Sequence, residues 1–337
     1  GHAQRRNSSG LVFANQTLSR TTALRPHATP NPPTTTSQEP CFDEIDHSAL
    51  LQRVRARIAD KRVLALVKAF LKAGVLGEDQ LTRYADSGTP QGGILSPLLA
   101  NIALSVLDEH VEGWWAAHTN STARFRHRKS GGATYRLARY ADDFVIMVNG
   151  TQAHAESLWT SVGDILAPMG LRLSAEKTRV VHIDEGFDFL GFHIQRHTQR
   201  GGTRRHVYIY PSKKSVASIR RRIKDVTTQI TQLSADQMFR VLGPIVRGWT
   251  QYFCTSSASD AFGDLNYFLW RRVWQWLRHK HPRTGRRDLV RRYFRTWWPE
   301  YNGVRLFDPA AVRIQRYHYR GTKIPNPWEP HSHAVPA

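Results

Sequence analysis

The sequence contains few cysteines and no long apolar run. Only two cysteines, Cys41 and Cys254, occur among 337 residues, and they lie far apart in the chain. This spacing argues against a disulfide-stabilised scaffold and against a structural zinc site, and it agrees with a reducing bacterial cytoplasm. No apolar stretch is long enough to cross a bilayer, and the N-terminus has no apolar signal core. We therefore expect a cytoplasmic protein with no membrane partner.

Acidic residues are scarce relative to basic ones. The chain has 48 Lys and Arg but only 27 Asp and Glu, which gives a formal net charge of +21. A surface with such a charge attracts polyanions. The chain also has 10 Trp and 11 Tyr, and aromatic side chains between basic ones suit base stacking combined with phosphate contact. Aromatic residues that only fill the core explain the same composition, so both alternatives stay open at this point.

Changes in composition divide the chain into four segments. Residues 1–40 are rich in Ser, Thr, Pro, Asn and Arg, and we predict that they form a disordered or unrelated leader. Residues 41–210 mix helical and strand periodicities, residues 211–300 are helical and basic, and residues 301–337 form a C-terminal tail. In the basic segment we expect most Arg side chains to contact a polyanion. We expect most of four tryptophans to pack in the core, namely Trp249, Trp270, Trp274 and Trp276.

Two adjacent aspartates lie within "RYADDFVIMV", between apolar segments. Residues 133–150 predict a β-hairpin in which Ala141, Asp142 and Asp143 form the turn. Neighbouring residues of a regular strand point to opposite faces, so both carboxylates reach one metal ion only if a turn redirects one of them. Crowded carboxylates ionise readily when a cation lies between them, and Mg²⁺ prefers oxygen ligands. The alternative is a turn with two solvated aspartates, because Asp is common in turns.

A glycine-rich loop covers residues 88–93, "GTPQGG", and leads into a helix predicted to begin near Pro97. Glycines allow the backbone to approach a bulky ligand, and the start of a helix favours anionic groups. The amide of Gln91 can hydrogen-bond a base edge. A loop that only connects two elements is the alternative.

Six blocks in this order resemble the reverse transcriptases encoded by group II introns, of the maturase type. They are "CFDEIDH", "GTPQGGILSPLLANIALSVLDE", "RYADDFVIMV", "LSAEKT", "FDFLGF" and "VRGWTQYF", and the resemblance covers about residues 41–328. It implies an α+β fold: a right-hand polymerase palm, incomplete because the fingers are missing, followed by a helical, basic thumb or maturase domain. The implied activity is that of an RNA-directed DNA polymerase with a Mg²⁺ cofactor. The implied partners are an RNA template, intron RNA, a DNA primer and deoxynucleoside triphosphates.

The resemblance also implies roles for individual residues. Asp142 and Asp143 would be catalytic and would bind the metal, and Lys177 would lie near the nucleotide phosphates as a proton donor to the leaving group. Phe42 would lie under the nucleotide sugar. The template and nucleotide would contact Pro90, Gln91, Gly92 and Gly93. The primer grip would consist of Phe189, Leu190, Gly191 and Phe192. Further nucleic-acid contacts would be made by Lys213, Lys214, Arg220, Arg221, Arg247, Arg271 and Arg272.

The sequence departs from this family just before Cys41. The family's first metal-binding aspartate would fall at Ser37, and Pro40 disfavours a central strand because it cannot donate a ladder hydrogen bond. Glu39 is the nearest upstream carboxylate but lies two residues out of place. Our hypothesis is that truncation or a frameshift joined an unrelated leader at about Pro40, which leaves the palm sheet without one strand. A non-catalytic, RNA-binding maturase-like splicing factor and a decayed fragment are then the alternatives to a polymerase.

Overall fold

The computed structural model describes residues 10–15, 45–72, 75–76, 82–83, 94–118, 120–198, 201–202 and 205–315. The chain divides into unit 1, residues 1–190 and 194–206, and unit 2, residues 191–193 and 207–337. Within the described ranges, no helix combines the length and apolarity needed to cross a membrane.

Unit 1 combines helices and strands. Its helices are α1 (His47–Arg55), α2 (Lys61–Lys72), α3 (Ser96–Ala116), α4 (Ser121–Lys129) and α5 (Gln152–Leu166), which continues as a short 3₁₀ turn over Ala167–Met169. Its strands are β1 (Gly10–Asn15), β2 (Val75–Leu76), β3 (Thr82–Arg83), β4 (Thr134–Tyr140), β5 (Asp143–Asn149), β6 (Thr178–His182) and β7 (Phe187–Phe189). The structure thus has the predicted mixture of helix and strand.

The main sheet of unit 1 has the strand order β4-β5-β1-β6. Strand β1 pairs antiparallel with both neighbours, so that Phe13 lies opposite Ile146 of β5 and Val180 of β6. The prediction of a disordered leader is therefore wrong for residues 10–15. The polar, proline-rich stretch that follows dominates the composition of the first forty residues, whereas the short run "GLVFAN" has the apolar character of a buried strand.

The sheet position that was predicted to lie vacant is thus filled by a segment upstream of Ser37. Ser37, Glu39 and Pro40 lie outside the described residues. A central strand supplies hydrogen bonds on both of its edges, so β1 removes the open edge that a missing strand would leave on β5.

Helices α3 and α5 pack on one face of the main sheet, and α1 packs against α3. Phe144 and Ile146 of β5 are fully buried against Leu104 of α3 and Val162 of α5. Because strand side chains alternate between faces, Val145 and Met147 lie on the other face, where Val145 is buried beside Phe187 and Met147 is 47% exposed. Helix α3 begins at Ser96, with proline in its first turn, which confirms the predicted helix start. The sheet therefore has a covered side and a side that is open in part.

Two strands, β8 (Phe192–Thr198) and β9 (Arg205–Pro211), cross the division between the units, and the sheet order is β7-β8-β9. Unit 2 continues with the helices α6 (Lys213–Gln229), α7 (Ala235–Phe253), α8 (Ser259–Lys280) and α9 (Arg286–Tyr293). It then forms the short strands β10 (Phe294–Arg295), β11 (Trp298–Tyr301) and β12 (Val304–Arg305). The predicted helical character of this basic region is confirmed, but the sequence did not predict its short strands.

The core of unit 2 forms between α6, α7 and α8. The apolar seam of α6 is buried, with Ile223 fully inaccessible. Trp276 of α8 is also buried, and its indole Nε1 donates a 2.7 Å hydrogen bond to the carbonyl of Ile230. Trp249, Trp270 and Trp274 are partly buried against the same core. The prediction that most of these tryptophans serve packing is confirmed.

Candidate functional site

The two aspartates lie where β4 turns into β5. Tyr140 pairs with Asp143, so the turn contains only Ala141 and Asp142. The predicted hairpin is confirmed, but Asp143 is the first residue of the second strand rather than part of the turn. One carboxylate is therefore on a turn and the other on a strand, and two neighbouring side chains in this arrangement need not point to opposite faces.

The turn contains a strained residue. Ala141 has φ of 54°, a left-handed conformation that costs an L-residue about 1–2 kcal/mol. Such a conformation persists when the surrounding structure holds it in place. The contacts of Ala141 thus help to set the position of Asp142.

Arg139 of β4 supplies those contacts. Its Nη1 donates to the carbonyl of Ala141 at 2.9 Å and to Oδ1 of Asn101 at 2.8 Å. Its Nε lies 3.0 and 3.1 Å from the two carboxylate oxygens of Asp108 on α3, and Nη2 donates to the same carboxylate. One guanidinium therefore ties the strained carbonyl to α3. We call Arg139, Asp108 and Asn101 the turn brace.

Sequence reasoning missed the turn brace. The only signal was alternation along β4, which places Arg139 on the same side as Leu137 and Tyr135, both packed against the core beneath the sheet. A basic residue on the side that faces helices needs an acidic partner. The sequence alone did not identify Asp108 as that partner.

The electrostatics of the aspartate pair favour a bound cation. Burial raises the pKa of Asp143, the charge of Asp142 raises it further, and the charge of Lys177 lowers it. Asp143 is half-buried, and its negative charge is opposed both by desolvation and by its neighbour. A divalent cation between two such carboxylates offsets both costs. The carboxylate donors suit a hard metal ion, so the residues fit the expected metal.

Lys177 immediately precedes β6 and lies close enough to Asp143 to affect its pKa. The structure therefore brings together the three residues predicted to be catalytic. Among the described residues, no group of three or more His, Cys, Asp and Glu side chains could hold a metal ion. The sequence of β1, "GLVFAN", contains no acidic residue.

Several predicted residues lie outside the described part of the chain, namely Phe42, Pro90, Gln91, Gly92 and Gly93. Their predicted contacts with the nucleotide and template stay predictions.

The predicted primer grip is the turn between β7 and β8. Leu190 has φ of 50° and Gly191 has φ of 78°, and positive φ at both central residues defines a type I′ hairpin turn. The carbonyl of Gly191 accepts hydrogen bonds from the backbone N–H of Ser212 at 2.8 Å and from Oγ of Ser215 at 2.9 Å. A Cβ at Gly191 would lie 2.9 Å from that same Oγ. The tight approach explains a glycine at this position.

Three of the predicted nucleic-acid contacts meet in one groove of unit 2. Its volume is about 370 Å³, and it lies between α6 and α8. The lining residues are Arg220, Lys224, Asp264, Tyr267, Phe268, Arg271, Arg272 and Gln275. Sequence reasoning missed Lys224 and Tyr267, although Tyr267 is 64% exposed and offers a stacking surface. The groove combines positive charge with an aromatic ring, as nucleic-acid sites do.

Arg272 makes hydrogen bonds from α8 to α6 beside this groove. Its Nη2 and Nε lie 2.7 and 3.0 Å from Oγ1 of Thr227 on α6. The structure thus gives Arg272 a role in holding α8 against α6.

Four predicted residues do not line the groove. Lys213, Lys214 and Arg221 are exposed on α6, and the guanidinium of Arg247 lies 5.2 Å from the ring centroid of Phe307.

Comparison with known families agrees with this geometry. Residues 5–194 match the model of the family described as reverse transcriptase (RNA-dependent DNA polymerase). The chain belongs to the reverse transcriptase family. Residues 216–294 match the maturase-specific domain of group II introns, so the stated resemblance is confirmed. The first match begins at residue 5 and includes β1, which therefore lies inside the reverse transcriptase match rather than in an unrelated leader.

Individual relatives are similar over part of their length. Protein YkfC of Escherichia coli (strain K12) is 34% identical over 189 residues, 52% of this chain and 49% of that protein. The group II intron-encoded protein LtrA of Lactococcus lactis subsp. cremoris is 30% identical over 208 residues, 48% of this chain and 34% of that protein. This reverse transcriptase chain thus covers half or less of the length of these curated relatives.

Among solved structures, the telomerase of Candida albicans, in complex with a TWJ fragment of telomeric RNA, aligns with a TM-score of 0.39. The alignment covers 84% of this chain and 49% of the telomerase chain at 11% identity. A similarity this low supports no conclusion about function.

Proposed function

We propose that this chain is the polymerase and maturase portion of a group II intron-encoded reverse transcriptase, with its active site at Asp142 and Asp143. The observation that carries the proposal is the hairpin turn, which sets two mutually repelling carboxylates side by side within the family match. Carboxylate ligands favour Mg²⁺ as the divalent ion. When bound, the metal stabilises the charge that develops on the attacking and leaving oxygens during nucleotidyl transfer.

The chain's own residues have separable tasks in this proposal. Asp142 and Asp143 hold the cation, and Arg139 holds the turn on which Asp142 lies. Lys177 offers a positive charge, and a proton on Nζ, to the triphosphate of the nucleotide. We propose for Phe42 and residues 90–93 the nucleotide and template contacts that the family resemblance implies. The reacting partners are a DNA primer, an RNA template and deoxynucleoside triphosphates.

We further propose that unit 1 is the palm and that the helices of unit 2 form the thumb and bind intron RNA. The groove between α6 and α8 supports this role, because Arg220, Lys224 and Arg271 can contact phosphates while Tyr267 stacks on a base. The turn at 189–192 would grip the primer end. Its two left-handed residues and the hydrogen bonds to the Gly191 carbonyl fix its backbone.

One observation favours a second candidate function, that of a non-catalytic, RNA-binding maturase-like splicing factor. Strand β1 lies beside β5 but contributes no acidic residue. The described part of the chain adds no third side chain that would complete a metal-binding group. Metal sites for phosphoryl transfer depend on the geometry of their ligands, so two carboxylates alone make a weaker site than three.

Primer extension on an RNA template in the presence of Mg²⁺ distinguishes the two functions. The unchanged chain is compared with Asp142→Ala/Asp143→Ala and with Glu112→Ala/Glu156→Ala. The last variant removes two exposed acids of unit 1 and changes the net charge by the same amount. We expect extension by the unchanged chain and by the Glu112/Glu156 variant, and none by the aspartate variant. Equal extension by all three would rule out the proposed active site. Salt-sensitive RNA binding without any extension would support the second candidate.

A further inference from the structure

A basic surface lies at the edge strand of the main sheet, away from the residues discussed so far. Residues 113–141 contain six Lys and Arg and no Asp or Glu. Arg139 is neutralised by Asp108. Of the other five cations, four belong to α4 and the fifth is Arg136 of β4. We call the set formed by Trp115, Arg124, Phe125, Arg126, Lys129 and Arg136 the α4 surface.

Trp115 brings two of these cations together. The guanidinium carbons of Arg124 and Arg136 lie 3.8 and 3.9 Å from the centroid of the Trp115 ring. The two positive charges are therefore separated by no more than the sum of these distances, which is within the Debye length of about 8 Å at physiological salt. Cation–π attraction holds each charge at the ring, but the charges repel one another. An anion bound beside both would relieve that repulsion.

Helix α4 is fixed in place next to β4. The side chain of Asn120 caps its N-terminus by accepting from the backbone N–H of Ala123 at 2.7 Å. At its other end, Nε2 of His127 lies 3.1 Å from the carbonyl of Ala133, and Nη1 of Arg128 donates to Oγ1 of Thr134 at 3.4 Å. Cations that a fixed helix presents lose less conformational entropy on binding than cations of a mobile segment.

The outward side of α4 combines charge with an aromatic ring. Phe125 is 58% exposed, and Arg126 and Lys129 are exposed beside it. Their spacings of three and four residues put them on one helix face. Basic residues in the last turn also interact with the helix dipole, for about 0.3–1 kcal/mol each, and both Arg126 and Lys129 lie in that turn. The dipole does not account for an exposed phenylalanine or for Arg136 on the neighbouring strand.

The open side of β4 connects the α4 surface to the aspartate pair. Arg136, Ala138 and Tyr140 are exposed and share one face because strand side chains alternate. From Tyr140, next to the turn, to Arg136 the strand rises about 13 Å. This distance corresponds to about four nucleotides of one strand of a duplex. A nucleic acid at Asp142 and Asp143 that follows β4 therefore reaches the stacked guanidinium groups and then α4.

We propose that the α4 surface binds the phosphodiester backbone of the RNA–DNA duplex that extends from the aspartate turn along β4. This inference rests on the proposed polymerase function, because it is that function which places a duplex at the turn. The stacked Arg124 and Arg136 contact the nearer phosphates, and Arg126 and Lys129 contact phosphates farther along. Phe125 lies against sugars between them.

The test measures binding of an RNA–DNA hybrid as a function of salt concentration, by fluorescence anisotropy. Arg126→Gln/Lys129→Gln removes two outward charges and keeps good helix formers. Arg62→Gln/Lys68→Gln on α2 is the matched control, since both residues are exposed cations of unit 1. Each phosphate contact contributes about 0.9 to the slope of log K against log salt. We expect the α4 variant to lower the magnitude of the slope by about 2, and the α2 variant to leave it unchanged.

Three results would overturn the inference. The first is an unchanged slope for the α4 variant, and the second is an equal decrease for both variants. The third is an equal loss of affinity for single-stranded RNA and for the hybrid, which would show that the surface does not follow a duplex. If the unchanged chain extends primers while any of these results is found, only the α4 inference fails. If the unchanged chain binds no hybrid at all, the proposed polymerase function fails as well.

Discussion

At the scale of single residues, unit 1 contains two carboxylates, Asp143 and Asp184, whose environments shift their pKa values in opposite directions. Burial and the neighbouring Asp142 raise the pKa of Asp143. In contrast, the hydrogen bond from Arg196, with Nε 2.5 Å from Oδ1, lowers the pKa of Asp184. Folding therefore opposes the charge of Asp143 and favours the charge of Asp184. An unfavourable charge that a protein retains indicates a functional site.

These directions predict opposite pH dependences of stability. A raised pKa in the folded state means that ionised Asp143 lowers stability above that pKa, and that this loss disappears below the ordinary value of 3.8. Without divalent ions, Asp143→Asn should melt at a higher temperature than the unchanged chain at neutral pH, and the difference should vanish on acidification. Asp184→Asn should melt lower at neutral pH, because a lowered pKa stabilises above the unfolded value and that contribution is lost as pH falls.

Thermal unfolding across this pH range, with and without Mg²⁺, measures both effects. Added Mg²⁺ should raise the melting temperature of the unchanged chain more than that of Asp143→Asn, because a ligand stabilises only the form that binds it. A lower melting temperature for Asp143→Asn at neutral pH without metal would contradict the electrostatic account of the pair.

The turn brace predicts different effects for two adjacent acids of α3. Asp108→Asn weakens the contact that orients Arg139, whereas Glu109→Gln affects an exposed ion pair with Arg53 and Arg57. Exposed pairs contribute about 0–1 kcal/mol. Residues that orient metal ligands affect metal affinity or activity by about 10–100-fold. We expect Asp108→Asn to weaken the Mg²⁺ response by that factor and Glu109→Gln to leave it unchanged, as measured by the Mg²⁺ concentration for half-maximal activity. An equal response of the two variants would exclude the brace.

The aspartate pair could be predicted from sequence because the two acids are adjacent in the chain and lie between apolar segments. The turn brace could not, since Asp108 and Arg139 are 31 residues apart and meet only when α3 packs beneath β4. Likewise, the sequence identified Arg272 as basic, but only the contact with Thr227 shows that it joins two helices.

At the scale of elements, local pairings were predictable and distant ones were not. The β4–β5 hairpin has a two-residue turn, so its alternation and turn residues are contiguous in the sequence. Strand β1 pairs with residues more than a hundred positions away, and no turn signal marks such a partner. Its short apolar run contributes little to the composition of the first forty residues, which the following polar segment dominates. Apolar periodicity nevertheless predicted the buried side of α6, on which Ile219, Ile223 and Val226 lie.

The turn between β7 and β8 gives a prediction at this scale. Gly191→Ala places a Cβ 2.9 Å from Oγ of Ser215 and 3.5 Å from Cζ of Phe253, at φ of +78°. Gly201→Ala is the matched control, because Gly201 has φ of +73° and no neighbouring atom within 4 Å of the added Cβ. The control should lose about 1–2 kcal/mol from backbone strain, and Gly191→Ala a further 1–3 kcal/mol, roughly, from overpacking.

Chemical denaturation of both variants gives their free energies of unfolding. Equal losses of unfolding free energy in the two variants would show that the close approach to Ser215 does not require glycine at position 191.

At the scale of the whole molecule, the chain combines a reverse transcriptase match with a maturase-specific match and a net charge of +21. Composition predicted a polyanion partner, which stays a prediction, and motif order predicted the family, which is confirmed. Neither could separate the cations that bind nucleic acid from those that hold helices together, because that distinction depends on which side chains meet in space. The structure identifies Arg139 and Arg272 as cations that hold elements together.

The most direct test of the central claim is the rate of single-nucleotide addition to a DNA primer on an RNA template, measured over a range of Mg²⁺ concentrations. For the unchanged chain we predict a rate that rises with Mg²⁺ and saturates. For Asp143→Asn we predict a rate lower by about 100-fold or more, the scale of losing a preorganised electrostatic contact. If both chains add nucleotides at the same rate, or if neither adds any while both still bind RNA, the aspartate turn is not the active site of a polymerase.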